Sequence, residues 1–367
     1  MGFSTLSVYQ FRNLVNDTLS FPSREVFLIG ENGQGKTNCL EALYLLCYGS
    51  SFRTRIDSLL IRTGEKEASV AGKYSSDEGI SHEISVILKN PGSKEIRMNG
   101  KRVADRKEIL LSIPCVVFSH DDLEFVSGPP AKKRGFFNQT LCMYDLHYLE
   151  LLRNYRRVLY QRNSSLKQRS TDMLPVYNKQ LVEWGFEIQT KRSELMGIFN
   201  GIVKQYFTAI ARLPGNIEIR YRPSWRDCAT REACLDRLRA RESEDLAFRT
   251  TTSGPHRDQF VYAYENDDFC QKASTGQLRL LSIVLRVAQA RFFTDNTGKK
   301  PVLLLDDVLL ELDAGRRELF VKSLPAYDQA FFTFLPDEEF GRYRKKTTAF
   351  CRVGEGKVGK WKEPEIS

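Results

Sequence analysis

The stretch EVFLIGENGQGKTNCLEALYLL, Glu25–Leu46, decides the fold. An apolar run ends at Gly30, and GENGQGKT, Gly30–Thr37, fits the pattern G-x-x-x-x-G-K-[ST] at every fixed position before an apolar helix begins. Each residue type has a physical reason. Gly30, Gly33 and Gly35 let the backbone N–H groups curl around phosphate oxygens; Lys36 brings a positive charge to the outer phosphates, and Thr37 offers a hydroxyl to Mg²⁺. Asn32 and Asn38 fall within the same nucleotide-contacting run. A strand feeding such a loop and helix predicts an α/β domain with a nucleotide site, for which ATP and Mg²⁺ are the expected ligands.

A second apolar strand, PVLLLDDVLLELD (301–313), ends in two acids. Ligands of open α/β sheets bind at the carboxyl ends of strands, where Asp306 and Asp307 are expected to lie. Asp306 suits the metal shell, and Asp307 is placed to orient an attacking water. A third segment, KASTGQLRLLSIVLRVAQA (272–290), opens a long apolar helix. Ser274 and Gln277 have the spacing of a capping box; the same open helix N-terminus, with Gly276 in its first turn, is a place to hold phosphate. One phosphate-binding helix already follows the loop at Gly30–Thr37. A second is best used if it faces the nucleotide of another copy of the chain.

Composition bounds the rest. The chain has 367 residues, 41% hydrophobic and 28% charged, as in a water-soluble protein with a sizeable core. No apolar run reaches the ~18–20 residues that cross a bilayer, and the amino terminus has no secretory-type apolar stretch. Eight cysteines without a C-x-x-C pair point to reduced thiols and a cytoplasmic location, and four scattered histidines suggest no metal cluster. The net charge of +9 makes nucleic acid a reasonable partner.

Between about 126 and 213 the texture becomes helical. One helix is expected from roughly Asp145 to Arg162 and another from about Pro175 to Ile210, separated by the polar NSSLKQRSTDM. An antiparallel hairpin inserted as an arm is the simplest arrangement; two core helices of the same domain is the alternative. The expected organisation is a head (1–125), an arm (126–213) and the second part of the head (214–367). In RNYRRVLYQRNSSLKQR, Arg153–Arg169, six residues are basic and none acidic. Arg153, Arg156 and Arg157 share a helical face, a stripe able to neutralise DNA phosphates without reading sequence or, equally, a solvated surface. Lys132 and Lys133, with Arg134, form a second basic cluster. His256 and Asp258 have no nucleophile beside them, and a turn is expected there.

The order of these motifs resembles the ABC-type ATPases of the SMC class. Together, FRNL (11–14), GENGQGKTNCLEALYLL (30–46), SFRT (51–54), TSGPHRD (252–258), STGQLRLLSIVLRVAQA (274–290) and PVLLLDDVLLELD (301–313) are similar to the RecF family across almost the whole chain. That resemblance implies an ABC/SMC-type head with a short helical arm, ATP-dependent dimerisation and DNA binding, and weak ATPase activity serving as a switch. Family members act with RecR and RecO to place RecA on gapped DNA. Carried over, Lys36 and Thr37 are the phosphate-loop pair and Asp306 and Asp307 the acidic pair. Ser274 and Gly276 make contacts across a dimer, and Glu311–Asp313 cross its interface. The chain departs from the pattern at Leu310, Asn138 and His120. Asp307 is shorter than the usual Glu, and Thr333 is the nearest residue to the customary switch histidine. A catalytically near-idle scaffold that recruits RecR is the alternative function.

Overall fold

The buried apolar runs around the phosphate loop and the acid pair assemble into one sheet in the computed structural model, which describes residues 2–76, 79–213 and 215–360. The strand order is Lys357–Lys360, Ala349–Gly354, Glu25–Ile29, Gln329–Phe334, Val302–Leu305 and Cys115–Phe118. Neighbours are parallel except for the edge hairpin formed by the first two. EVFLI, VLLL and QAFFTF are buried at every residue, which is why they show no alternation of polar and apolar positions. The helix Lys36–Tyr48 follows the phosphate loop and is buried along most of its length, so it too lacks a polar face.

A second sheet is antiparallel, ordered Asp17–Ser20, Gly2–Tyr9, Glu67–Ser75, Ser81–Lys89, Ser93–Met98 and Lys101–Arg102. Here alternation returns: Ala68, Val70 and Tyr74 point inward from one strand. Its last hairpin turns at Asn99-Gly100, both with positive φ (52° and 77°), the conformation for which this dipeptide is suited.

The chain divides into two units, Met1–Asp122 with Gln289–Ser367, and Leu123–Ala288. Both sheets above belong to the first. In the second, a small antiparallel sheet (Asp267–Asp268, Gln259–Tyr264, Ile217–Arg222) is accompanied by the helices Leu146–Gln168 and Leu174–Tyr206. Ion pairs Lys191–Asp145 (3.2 Å) and His147–Glu187 (2.6 Å), and the Arg162–Asn178 hydrogen bond (2.7 Å), match early residues of one helix to late residues of the other, giving an antiparallel hairpin. Asn200 bonds both ways to the Ile219 backbone, so the hairpin packs on this sheet. Position 214 lies outside the described residues.

One expectation needs correction. The polar run after Arg162 is not a linker; the first helix continues to Gln168 because Arg162 and Leu166 are buried on its inner face and Asn163 Oδ1 accepts from the Thr251 N–H and hydroxyl, while Lys167 and Gln168 are exposed. The charged segment CLDRLRARESEDLAFR is two helices, Arg231–Ala240 and Glu242–Phe248, with a break at Arg241. Asp245 in the second is fully buried and paired with Arg162 at 2.7 Å, which fixes its orientation separately.

Candidate nucleotide site

The phosphate loop is shaped before any ligand arrives. A Cβ on Gly30 would lie 2.1 Å from the Val353 carbonyl oxygen, so no side chain fits there. Gly33 and Gly35 have φ of 78° and 114°, open to glycine at no steric cost. Asn13 Nδ2 donates to the Gly33 carbonyl (3.0 Å), Asn38 Nδ2 donates to Asn13 Oδ1 (2.7 Å), and Gly356 N–H donates to the Gln34 carbonyl (3.0 Å). Asn32 is exposed at the loop tip. Lys36 is buried, its ammonium donating to the carbonyls of Gly30 (2.6 Å) and Glu31 (3.2 Å), donor capacity that phosphate oxygens would otherwise take.

The acid strand meets this loop. Thr37 Oγ1 donates to Asp306 Oδ1 at 2.8 Å, joining residues 269 positions apart. Burial, reinforced by the Asp307 carboxylate, pushes the Asp306 carboxyl up to about 7, while the Thr37 hydroxyl, Arg53 and Lys36 pull the other way. Asp307 is left-handed (φ 52°), and both its N–H and its Oδ1 bond to the hydroxyl of Thr333 on the next strand, each at 2.7 Å. Among the described residues no cluster of three or more metal-ligating side chains occurs. Mg²⁺ takes one or two protein oxygens and completes its shell with water and substrate phosphates, and Thr37 Oγ1 and Asp306 Oδ1 are two oxygens that could serve it.

Arg12 and Asn13 were not among the expected site residues. Arg12 grips Glu41 through two hydrogen bonds (2.9 and 3.0 Å), and Ser51 and Arg53 bond to the same carboxylate (2.5 and 3.5 Å). A glutamate in the apolar LEALYLL demanded such partners, but nothing in the spacing says where they come from.

The helix Thr275–Thr297 opens with the expected capping box. Gln277 Oε1 accepts the Ser274 N–H (2.8 Å), and Ser274 Oγ accepts the Gln277 N–H (3.3 Å). Ser274 and Gly276 are exposed, and a Cβ on Gly276 would meet nothing within 4 Å. Packing within this chain therefore does not account for a glycine there.

The family described as the RecF/RecN/SMC N-terminal domain matches residues 3–348. The DNA replication and repair protein RecF of Treponema pallidum is 42% identical over 351 residues, covering 96% of this chain and 99% of that one. Its counterpart in Leptospira interrogans is 33% identical, covering 91% of each. The chain belongs to the RecF family. A solved structure of the recombination mediator RecF with ATP, in the RecFOR pathway, superposes with a TM-score of 0.90 at 29% identity over 98% of both chains. The Smc head of Pyrococcus furiosus shares the fold, with a TM-score of 0.56 at 17% identity.

In this RecF-family chain, Arg153, Arg156, Arg157 and Tyr160 are exposed together on the first hairpin helix. Arg162 is not part of that stripe: it is fully buried, ion-paired with Asp245 and hydrogen-bonded to Asn178 and Thr251. The second cluster is occupied internally. Lys132 pairs with Glu124, Lys133 lies 5.1 Å from the Tyr262 ring centre, and Arg134 donates to the Asp258 carbonyl. Two departures from the family pattern become explicable. Asn138 is buried and accepts hydrogen bonds from Tyr148 (2.7 Å) and Arg192 (3.0 Å), a structural position. His120 sits 2.9 Å from Glu311 on the surface. Asp258 is buried against Arg192 (2.6 Å), Tyr221 and the Ser224 N–H, so the GPHRD segment anchors the fold of its unit.

Proposed function

We propose that this chain is an ATP-dependent DNA-binding protein of recombinational repair and replication-gap processing in the cytoplasm. ATP closes two copies into a clamp, and slow hydrolysis reopens it. The observation that carries the reading is the Thr37–Asp306 contact, which brings the phosphate loop and acid strand to one point. The ATP complex of its structural relative supports the choice of nucleotide.

Lys36 leaves its two carbonyl partners to take phosphate oxygens, while Gly30, Asn32, Gly33, Gly35 and Asn38 surround the phosphates. Thr37 and Asp306 hold Mg²⁺, whose charge offsets that of the phosphates. Asp307 orients the attacking water. Ser274, Gly276 and Gln277 approach the nucleotide of the second copy, which gives the open face of Gly276 an occupant. DNA phosphates lie along Arg153, Arg156 and Arg157; Lys132 and Lys133 contribute less because their charges are engaged within the chain. The arm is the segment 126–213 between head segments 1–125 and 214–367. RecR is the direct partner, with a functional link to RecO and RecA at gapped DNA. A near-idle nucleotide-bound scaffold that recruits RecR is the second reading, favoured by the short side chain of Asp307; turnover lost in Asp307→Asn but present in the unsubstituted chain rules it out.

Light-scattering mass tests the clamp, with ADP and with ATP under non-hydrolysing conditions, for the unsubstituted chain and Ser274→Arg. ATP is expected to double the mass, and Ser274→Arg to remain single while still binding nucleotide. A single mass with ATP bound, or equal dimerisation of the variant, overturns the clamp.

A further inference from the structure

Asp307 occupies the left-handed region, φ 52°, without being glycine. Such a conformation costs about 1 kcal/mol or more and persists where the surroundings impose it. The Asp307 carbonyl accepts the Leu310 N–H at 3.2 Å, and one side chain holds the rest of the residue. Thr333 Oγ1 accepts the Asp307 N–H at 2.7 Å and donates its own proton to Asp307 Oδ1 at 2.7 Å. The Leu305 carbonyl, at 3.4 Å, is a poorer acceptor for the same proton. Thr333 is 3% exposed, so water does not compete for the hydroxyl.

The same strand end holds the phosphate loop. Phe334, the residue after Thr333, accepts the Gly30 N–H at 3.1 Å through its carbonyl. Its strand lies between the loop strand and the acid strand, with Thr333 opposite Leu28 and Phe332 opposite Leu305. Two consecutive residues therefore set Gly30 and Asp307 relative to each other.

We propose that Thr333 is the positioning residue for Asp307, fixing its backbone and turning its second oxygen, Oδ2, toward the attacking water. An aspartate has one torsion fewer than a glutamate and reaches less far. The place of its oxygen is then decided by the backbone, χ1 and χ2, which the bonds to the Asp307 N–H and Oδ1 together constrain. In the step served, the water oxygen bonds to the γ-phosphorus and the bridging β–γ P–O bond breaks. The water proton passes toward Asp307 Oδ2, leaving ADP and phosphate. The inference rests on the reading of Asp307 as the water-orienting acid, and experiment separates the two.

The full chain is assayed for ATP turnover, for affinity toward a fluorescent ATP analogue, and for ATP-dependent mass. Thr333→Val keeps the shape and removes the hydroxyl; removing one hydrogen bond to a charged group lowers turnover by about 10–100-fold. Nucleotide affinity and ATP-dependent mass stay as in the unsubstituted chain. Thr333→Ser, which keeps the hydroxyl, restores most of the turnover, and Thr333→Val adds no loss in an Asp307→Asn background. Undiminished turnover in Thr333→Val, a Thr333→Ser as slow as Thr333→Val, or an equal further loss beside Asp307→Asn each overturns the proposal. If Thr333→Val does not fold, Thr333→Ser against Thr333→Ala gives the same comparison. An unsubstituted chain that binds ATP without turning it over refutes the role of Asp307, and the inference falls with it.

Discussion

His256 uses both ring nitrogens: Tyr155 Oη lies 2.7 Å from Nδ1, and the Thr251 carbonyl 3.0 Å from Nε2. A neutral ring with its proton on Nε2 satisfies both, the tyrosine hydroxyl donating to Nδ1. Burial, with Arg257 and Arg134 nearby, lowers the imidazole to about 4 although the Thr251 contact opposes the shift. The unfolded chain therefore binds this proton between about pH 4 and 6.5 while the folded chain does not. Stability contributed here is full above pH 6.5 and is lost as the pH falls toward 4. Full burial would make this about 3 kcal/mol, and the ring's partial exposure reduces it to the order of 2. Urea midpoints from pH 4 to 7 should rise more steeply with pH in the unsubstituted chain than in His256→Gln, which keeps a donor and an acceptor, the opposing contribution of the raised Asp306 being common to both; equal slopes would remove His256 as the cause. The residue is visible in GPHRD, but its partner Tyr155 is 101 positions away, and no spacing rule connects them.

At the scale of elements, the helix Thr275–Thr297 shows how one sequence feature serves two purposes. Its capping box is local, readable from Ser274 and Gln277 three residues apart, and formed by those two residues in the fold. What the helix end does beyond capping depends on Gly276, whose open face is a property of tertiary packing. Gly276→Ala meets no obstacle and lowers backbone entropy in the unfolded chain. We expect it to stabilise the isolated chain by about 0.4–1 kcal/mol. The same methyl should weaken ATP-dependent dimerisation. A thermal melt and light scattering on this variant give opposite signs if a second copy approaches the glycine; a more stable variant that dimerises normally would separate the glycine from the interface.

Over the whole molecule, a net charge of +9 supports contact with polyanions without saying where. Burial sorts the basic residues. Arg153, Arg156 and Arg157 are exposed, whereas Arg162, further along the same helix, is fully buried. Replacing the first three by alanine should leave folding intact and reduce the slope of log affinity for double-stranded DNA against log salt by about 2–3, near 0.9 for each phosphate no longer neutralised. An unchanged salt slope would place the DNA elsewhere. Arg162 would mislead in the same assay: removing it strands the buried Asp245, which costs about 3–5 kcal/mol and disturbs the unit itself.

The phosphate loop, the acid strand, the capping box and the Asn-Gly hairpin were legible because each is written in consecutive residues. Backbone conformation and short-range hydrogen bonds dictate those residue types locally, so they could be read without coordinates, along with the ABC/SMC class and the RecF family. The Arg12–Glu41 grip, the Arg162–Asp245 pair and the Thr333–Asp307 clasp were decided by tertiary structure alone. Each joins side chains 26 or more positions apart, and a buried polar group declares only that it needs a partner. Which partner it finds is settled when strands and helices pack.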